Sequence, residues 1–159
     1  HIIAALLRCH HTFATVMGSS GRYHLRVAFR NGSPPMSSSD AQSAVPTAIT
    51  LHKKSRVLEI GFSDGKQFRL PCEFLRVFSP SAEVRGHGPG QEVLQVGKKE
   101  VEIERVEAVG SYAIQLGFSD GHDTGLYSWD LLYEYGMKQD RMWLNYLTRL
   151  KEAGARREP

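Results

Sequence analysis

Two cysteines in 159 residues, Cys9 and Cys72, are too few for a disulfide framework, and their separation is not that of metal ligands. A reducing, cytoplasmic compartment is the expectation. Long apolar runs are also missing. No stretch approaches the roughly 20 apolar residues of a membrane-spanning helix, so no membrane association is expected. The run from Ile2 to Leu7 lacks the length, the preceding basic segment and the small-residue cleavage site of a secretory signal. Acidic residues are absent from positions 1–39, which contain Arg8, Arg22, Arg26 and Arg30. With Asp40 the only acid before Pro46, this segment carries the whole formal charge of +3, and the remainder holds sixteen residues of each sign. The pI of about 9.0 is therefore a poor argument for nucleic acid, because phosphate binding needs basic residues on the folded surface.

Residues 1–45 contain arginine, serine and a Ser33-Pro-Pro-Met-Ser-Ser-Ser39 stretch without a sustained helical or strand period, and they are expected to be disordered. An acid-free leader of this composition is typical of an organelle transit segment, which would move the expected compartment to an organelle. The preferred expectation is that residues before Met36 are not native, because the character of the sequence changes there.

From Pro46 onward the pattern is that of a small α+β domain built from antiparallel hairpins and short helices. Arg56-Val-Leu-Glu-Ile-Gly-Phe62 reads as a strand, Ser63-Asp64-Gly65 as a two-residue Asp-Gly hairpin turn, and Lys66-Gln-Phe-Arg-Leu70 as the returning strand. Pro71 suits the first turn of a short helix over 72–78. The Gly- and Pro-rich residues 79–92 should form a mobile loop. Val101 and Ile103 alternate with glutamates, as in a strand with one wet face. A turn at Gly110-Ser111 leads to a strand over 112–118. Gly-Phe-Ser-Asp-Gly then recurs at 117–121, 56 residues after its first occurrence at 61–65, with Leu70 matched by Leu126 and Leu75 by Leu131. Both copies read strand, turn, strand, helix, a pseudo-repeat of two units that pack on one another. Ser128 is a natural N-cap, Gly136 a natural stop, and a last amphipathic helix over about 138–153 carries Trp143, Tyr146, Leu147 and Leu150 on one stripe. Residues 154–159 should fray.

Few residues form a set that chemistry needs. Cys72 falls on an apolar helix and reads as a small buried hydrophobe. His87 lies in the Gly/Pro loop, where solvation explains it. Gly86-His-Gly-Pro-Gly90 lacks the strand before it and the Lys-Ser/Thr after it that make a phosphate-cradling loop. The segment 119–129 is denser. His122 with Asp120 or Asp123 could supply ligands to a divalent metal, whereas Asp120-Gly121 as a turn and Tyr127 and Trp129 as anchors of the next helix give a structural reading, favoured because a metal site needs three or four convergent ligands. No nucleophile–base–orienter set is visible, so no catalytic residues are expected.

The same segment, Phe118-Ser-Asp-Gly-His-Asp-Thr-Gly-Leu-Tyr-Ser-Trp-Asp-Leu-Leu132, preceded by Glu107-Ala-Val-Gly-Ser-Tyr-Ala113 and Leu70-Pro-Cys-Glu-Phe-Leu-Arg76, resembles the gamma-butyrobetaine hydroxylase-like N-terminal domain family over residues 47–153. It is similar to the small stand-alone bacterial members. Related domains precede the iron- and 2-oxoglutarate-dependent domain of carnitine-biosynthesis hydroxylases, or accompany nucleotide-binding iron–sulfur cluster carriers of the Mrp type. The resemblance implies an accessory or docking module, expected to serve an unidentified protein partner in iron–sulfur or iron-enzyme biology; the missing catalytic set makes it non-enzymatic, and the balanced charge after Pro46 gives the expectation of no nucleic-acid partner. In the hydroxylases such a domain binds a structural zinc through three Cys and a His. Here the His matches His122 but the Cys positions fall on Ser79, Ser81 and Val84, so that zinc is expected to be absent, and no cofactor is assigned beyond the divalent metal considered at His122 and Asp120. The expected contact surface is Arg76, His122, Asp123, Tyr127 and Trp129.

Overall fold

The computed structural model describes the backbone of residues 12–19 and 22–29 and the full residues 45–159. The chain is α+β, as its patterning implies, and divides into two compact units, residues 1–69 and 70–159.

The first unit is built on an antiparallel sheet in the order β1 (Thr12–Ser19), β2 (Arg22–Phe29), β3 (Pro46–His52), β4 (Val57–Phe62) and β5 (Gln67–Pro71), whose last residues lead into the second unit. The two leading strands correct the expectation of disorder over 1–45; the other residues before Val45 lie outside the described ones. Arg22-Tyr-His-Leu-Arg-Val-Ala-Phe29 alternates with period two, a strand signal that the arginine- and serine-rich composition around it obscures. In β3 and β4, Ile49 opposes Ile60 and Leu51 opposes Leu58, so the alternation buries one face of the pair.

The turn from β4 to β5 differs in type from the expected one. Phe62 N donates to Lys66 O at 2.8 Å and Gly65 N to Phe62 O at 3.0 Å, which makes Ser63, Asp64 and Gly65 a three-residue loop. Only Gly65 takes a positive φ, +87°, whereas a two-residue type I′ turn needs two such residues.

In the second unit, α1 (Cys72–Val77) has all six residues buried and follows Pro71 at its N-cap, where the missing amide hydrogen is no loss. A single-turn helix, α2 (Ala82–Arg85), interrupts the segment expected to be a mobile loop. Its start is held because Ser79, Ser81 and Val84 are buried and Val93 N donates to Val84 O at 2.8 Å. The second sheet has the order β6 (Ile103–Val109), β7 (Ala113–Phe118), β8 (Leu126–Ser128), all antiparallel. Ile114, Leu116, Phe118 and Tyr127 form its buried face.

The pseudo-repeat is visible in the hydrogen bonds. Phe118 N donates to His122 O at 2.9 Å and Gly121 N to Phe118 O at 3.0 Å, and Gly121 takes φ +85°, which reproduces the first turn. Asp64 Oδ1 accepts from Lys66 N at 2.9 Å, and Asp120 Oδ1 accepts from His122 N at 3.3 Å.

The last helix, α3 (Trp129–Glu152), starts as its sequence implies: the Ser128 hydroxyl accepts from Leu131 N at 3.2 Å. It does not stop at Gly136. One stripe, buried at Trp129, Leu132, Tyr135, Tyr146 and Leu150 and half-buried at Met142 and Trp143, runs past the glycine, and this burial on both sides of it outweighs the cost of about 1 kcal/mol for a helical glycine. Trp143 and Leu147 pack with Phe78 and Leu94 around Val77, Tyr146 and Leu150.

The C-terminal residues are bound rather than frayed. Gly97 N and Lys99 N donate to Arg156 O and Arg157 O, each at 3.0 Å. Arg157 grips the buried Glu73 through two hydrogen bonds of 2.9 and 2.6 Å and lies 5.0 Å over the Trp143 ring. A buried carboxylate needs such a partner, and α1 supplies none.

Candidate functional site

The site gathers around the second turn. Gly121 permits the tight reversal, and the following residue, His122, turns inward to 7% exposure. Its Nε2 lies 2.8 Å from Ser79 Oγ and 3.3 Å from Ser81 Oγ, and its Nδ1 lies 3.2 Å from Glu83 Oε2. A carboxylate only accepts, so Nδ1 carries the proton; Nε2 then accepts from the Ser79 hydroxyl, and the imidazole is satisfied while neutral. Burial pushes the His122 pKa down, the nearby Arg76 charge pushes it the same way, and Glu83 opposes both.

A second group of charges adjoins the first. Asp120 Oδ2 accepts from Arg76 Nε at 2.8 Å and from Lys98 Nζ at 2.7 Å, while Arg76 Nη1 donates to Gln95 Oε1 at 3.1 Å. Partial burial alone would raise the Asp120 pKa, but the hydrogen bonds from Lys98, Arg76 and the His122 backbone win and hold it at about 2. The turn, the start of α2 and the segment before β6 are thereby tied to one another by groups far apart in the chain.

Of the five residues expected to form a contact surface, Arg76, His122, Tyr127 and Trp129 are buried and cannot present themselves to a partner in this fold. The Tyr127 hydroxyl donates to Leu75 O at 2.6 Å, with burial pushing the phenol pKa up, and Trp129 Nε1 donates to Ser111 O at 2.8 Å. Both rings anchor α3 and β8, the structural role favoured from their residue types. Asp123 is different. Its carboxylate is half exposed, takes Arg105 Nη2 at 3.2 Å, and sits beside the outer face of the second sheet.

The residues at the four positions of the relatives' zinc site do converge, since Ser79, Ser81 and His122 are in hydrogen-bond contact and Val84 is buried one turn beyond Ser81. They do not fit zinc. The available His122 nitrogen faces two neutral hydroxyls, and Val84 has no donor atom, whereas structural zinc takes four thiolate, imidazole or carboxylate ligands. Among the described residues no group of three or more His, Cys, Asp or Glu is placed to hold a metal ion. Asp120, the other metal candidate, has both oxygens engaged.

The order Glu83, His122, Ser79 is that of an acid–base–nucleophile relay, but the Ser79 hydroxyl is closed off. Ser79 is 1% exposed, and Gly125 passes so near that an added Cβ would strike Ser79 Oγ. A nucleophile must reach its substrate. The cluster is a hydrogen-bonded clasp that fixes α2 and the second hairpin. Sequence reasoning missed Glu83, Gln95 and Lys98, which lie 39, 19 and 22 residues from their partners in the cluster and carry no local signal.

Fold and site together define a small α+β domain whose conspicuous polar residues are turned inward. The chain belongs to the family described as gamma-butyrobetaine hydroxylase-like, N-terminal, whose model matches residues 49–133. Two proteins with structures solved by NMR are similar to it. One is 49% identical at a TM-score of 0.66, covering 74% of this chain and 92% of the other; the second is 52% identical at 0.65, covering 80% and 92%. A crystal structure from Acidithiobacillus ferrooxidans, of a protein described as of unknown function, is 40% identical over 55% of this chain and 86% of that one, at a TM-score of 0.46. Among curated proteins none matches the chain. No helix among the described residues is long and apolar enough to cross a membrane.

Proposed function

We propose that this chain is a non-enzymatic accessory domain that docks onto another protein, in iron–sulfur or iron-enzyme biology, through the outer face of its second sheet. One observation carries the reading: the groups capable of chemistry are consumed in a buried clasp, while the opposite face of the same sheet is left outward. Cross-strand pairing puts Glu107 opposite Gln115 and Gln115 opposite Leu126, so these three side chains share a face. Leu126 is 46% exposed on that face, and across β7, on β6, Arg105 pairs with Glu107 and with Asp123. An exposed leucine on a sheet face that also carries mutually paired charges offers the apolar and polar elements of a modest protein contact.

The test is capture from the native host at native expression level with the wild-type chain, Leu126→Asp, and Lys138→Ala as a distant surface control. A partner retained by wild type and control and lost by Leu126→Asp is expected. No reproducible partner, or one retained equally by all three, refutes the reading.

A further inference from the structure

The second unit contains a cleft of about 700 Å³ that the clasp does not use, between the end of α1, the segment 84–95 and the middle of α3. That volume is in the range of small-molecule sites. Its wall is apolar and aromatic, with Phe78, Val84, Leu94 and Tyr146 among its residues, and Arg85 and Arg149 line its polar side. Arg69, Arg76, Arg105 and Arg157 each face a carboxylate within 4 Å. Among the described residues, the two arginines of the cleft have no such carboxylate partner. Arg149 Nη2 donates to the backbone carbonyl of Glu92 at 3.3 Å, which leaves most of its donors unused, and Arg85 lies against the hydroxyl of Tyr135. Glu92 lines the same cleft, so the fixed charge of the lining is one positive unit.

Two guanidinium groups without carboxylates, at the edge of an apolar hollow, set the chemistry of an occupant. The fork of donors matches a carboxylate or phosphate, and the wall matches a hydrocarbon or aromatic body. The geometry points to this cleft as a binding site for a small organic anion, an apolar body carrying one carboxylate or phosphate head held by Arg85 and Arg149. The site lies apart from the outer sheet face and stands whether or not that face docks a partner.

Titration of the isotopically labelled full chain with octanoate, octyl phosphate and octanamide, followed by amide chemical shifts, tests it. The expected result is saturable binding of at least one of the two anions at low-millimolar concentration or tighter, with the largest shifts within residues 84–95 and 145–149. Which anion binds more tightly identifies the head group. Octanamide, with the same tail and no charge, should bind at least about tenfold more weakly, and Arg149→Met and Arg85→Met should each weaken the anion by a similar factor. Val93→Trp adds bulk at a 53% exposed lining position without touching either charge and should also remove binding. Each variant is first shown to keep the wild-type amide spectrum outside the cleft. Equal binding of octanamide and the anions, shifts centred elsewhere, affinity unchanged in both arginine variants, or no saturable binding by either anion overturns the proposal.

Discussion

Asp120→Asn isolates the charge that joins the second turn to Arg76 and Lys98. Asparagine keeps the size of the side chain and an oxygen for the His122 amide, so the loss is that of a carboxylate facing two cations. Holding the Asp120 pKa at about 2 instead of the ordinary 3.8 corresponds to at most about 2.5 kcal/mol of folding free energy. Asp120 is partly exposed, and solvent screening reduces this to about 1–1.5 kcal/mol. The sign follows from linkage. A depressed carboxylate stabilises the fold fully above its unfolded pKa and loses that contribution as pH falls toward its folded value, so about half of the effect should be gone at pH 3. Urea unfolding of wild type and Asp120→Asn at pH 7, 4 and 3 measures it. A variant less stable by about 1–1.5 kcal/mol at pH 7, with the gap narrowing to about half at pH 3, is expected. Equal stability at pH 7, or a gap that does not change with pH, refutes the assignment of Asp120 as the ionised partner of Arg76 and Lys98.

The other expectations concern neighbouring contacts. His122 is held neutral with its pKa lowered, so wild-type stability should decline as pH falls below about 6.5, the ordinary histidine value, and His122→Gln should flatten that decline in the same urea experiment. Gly125→Ala should cost about 1–3 kcal/mol, because the new Cβ meets Ser79 Oγ and stands 3.2 Å from the Tyr127 ring; thermal unfolding reads it, and an unchanged midpoint would mean that this approach is looser than described. Arg157→Ala leaves the Glu73 carboxylate, 8% exposed, without its bidentate partner and should cost about 2–3 kcal/mol in urea unfolding, whereas Lys99→Ala, which removes an exposed pair with Glu158, should leave the unfolding midpoint nearly unchanged.

Much of this architecture is legible in the sequence because it is written in short-range chemistry. Strand alternation at 57–62, Ser128 as N-cap and the recurring Gly-Phe-Ser-Asp-Gly are decided by neighbouring residues, and each is found in the structure where the pattern puts it. Gly136 is the counterexample: its local preference to end a helix yields to a stripe of burial running past it to Leu150, and burial is a property of the whole fold. The site divides the same way. Its residue types draw attention to 119–129, and the family resemblance brings Ser79, Ser81 and Val84 to His122. Neither shows that Arg76 is buried, that Lys98 and Gln95 reach it through Asp120 and its own guanidinium, or that Arg157 returns from the C-terminus to Glu73. Those pairings depend on tertiary distance, and a surface assigned from polar and aromatic residue types consequently pointed inward for four residues of five.

The two copies of the Phe-Ser-Asp-Gly turn carry a consequence of their own. Asp64 and Asp120 make the same backbone bond in the same reversal, but the second oxygen of Asp64 meets Lys66 at the surface while that of Asp120 meets Arg76 and Lys98. The molecule thus contains its own reference state for the aspartate. What Asp64→Asn costs is the worth of the carboxylate to a turn at the surface, its lysine contact included, and what Asp120→Asn costs beyond that is what one half of a duplicated motif acquired when its partner kept to the solvent.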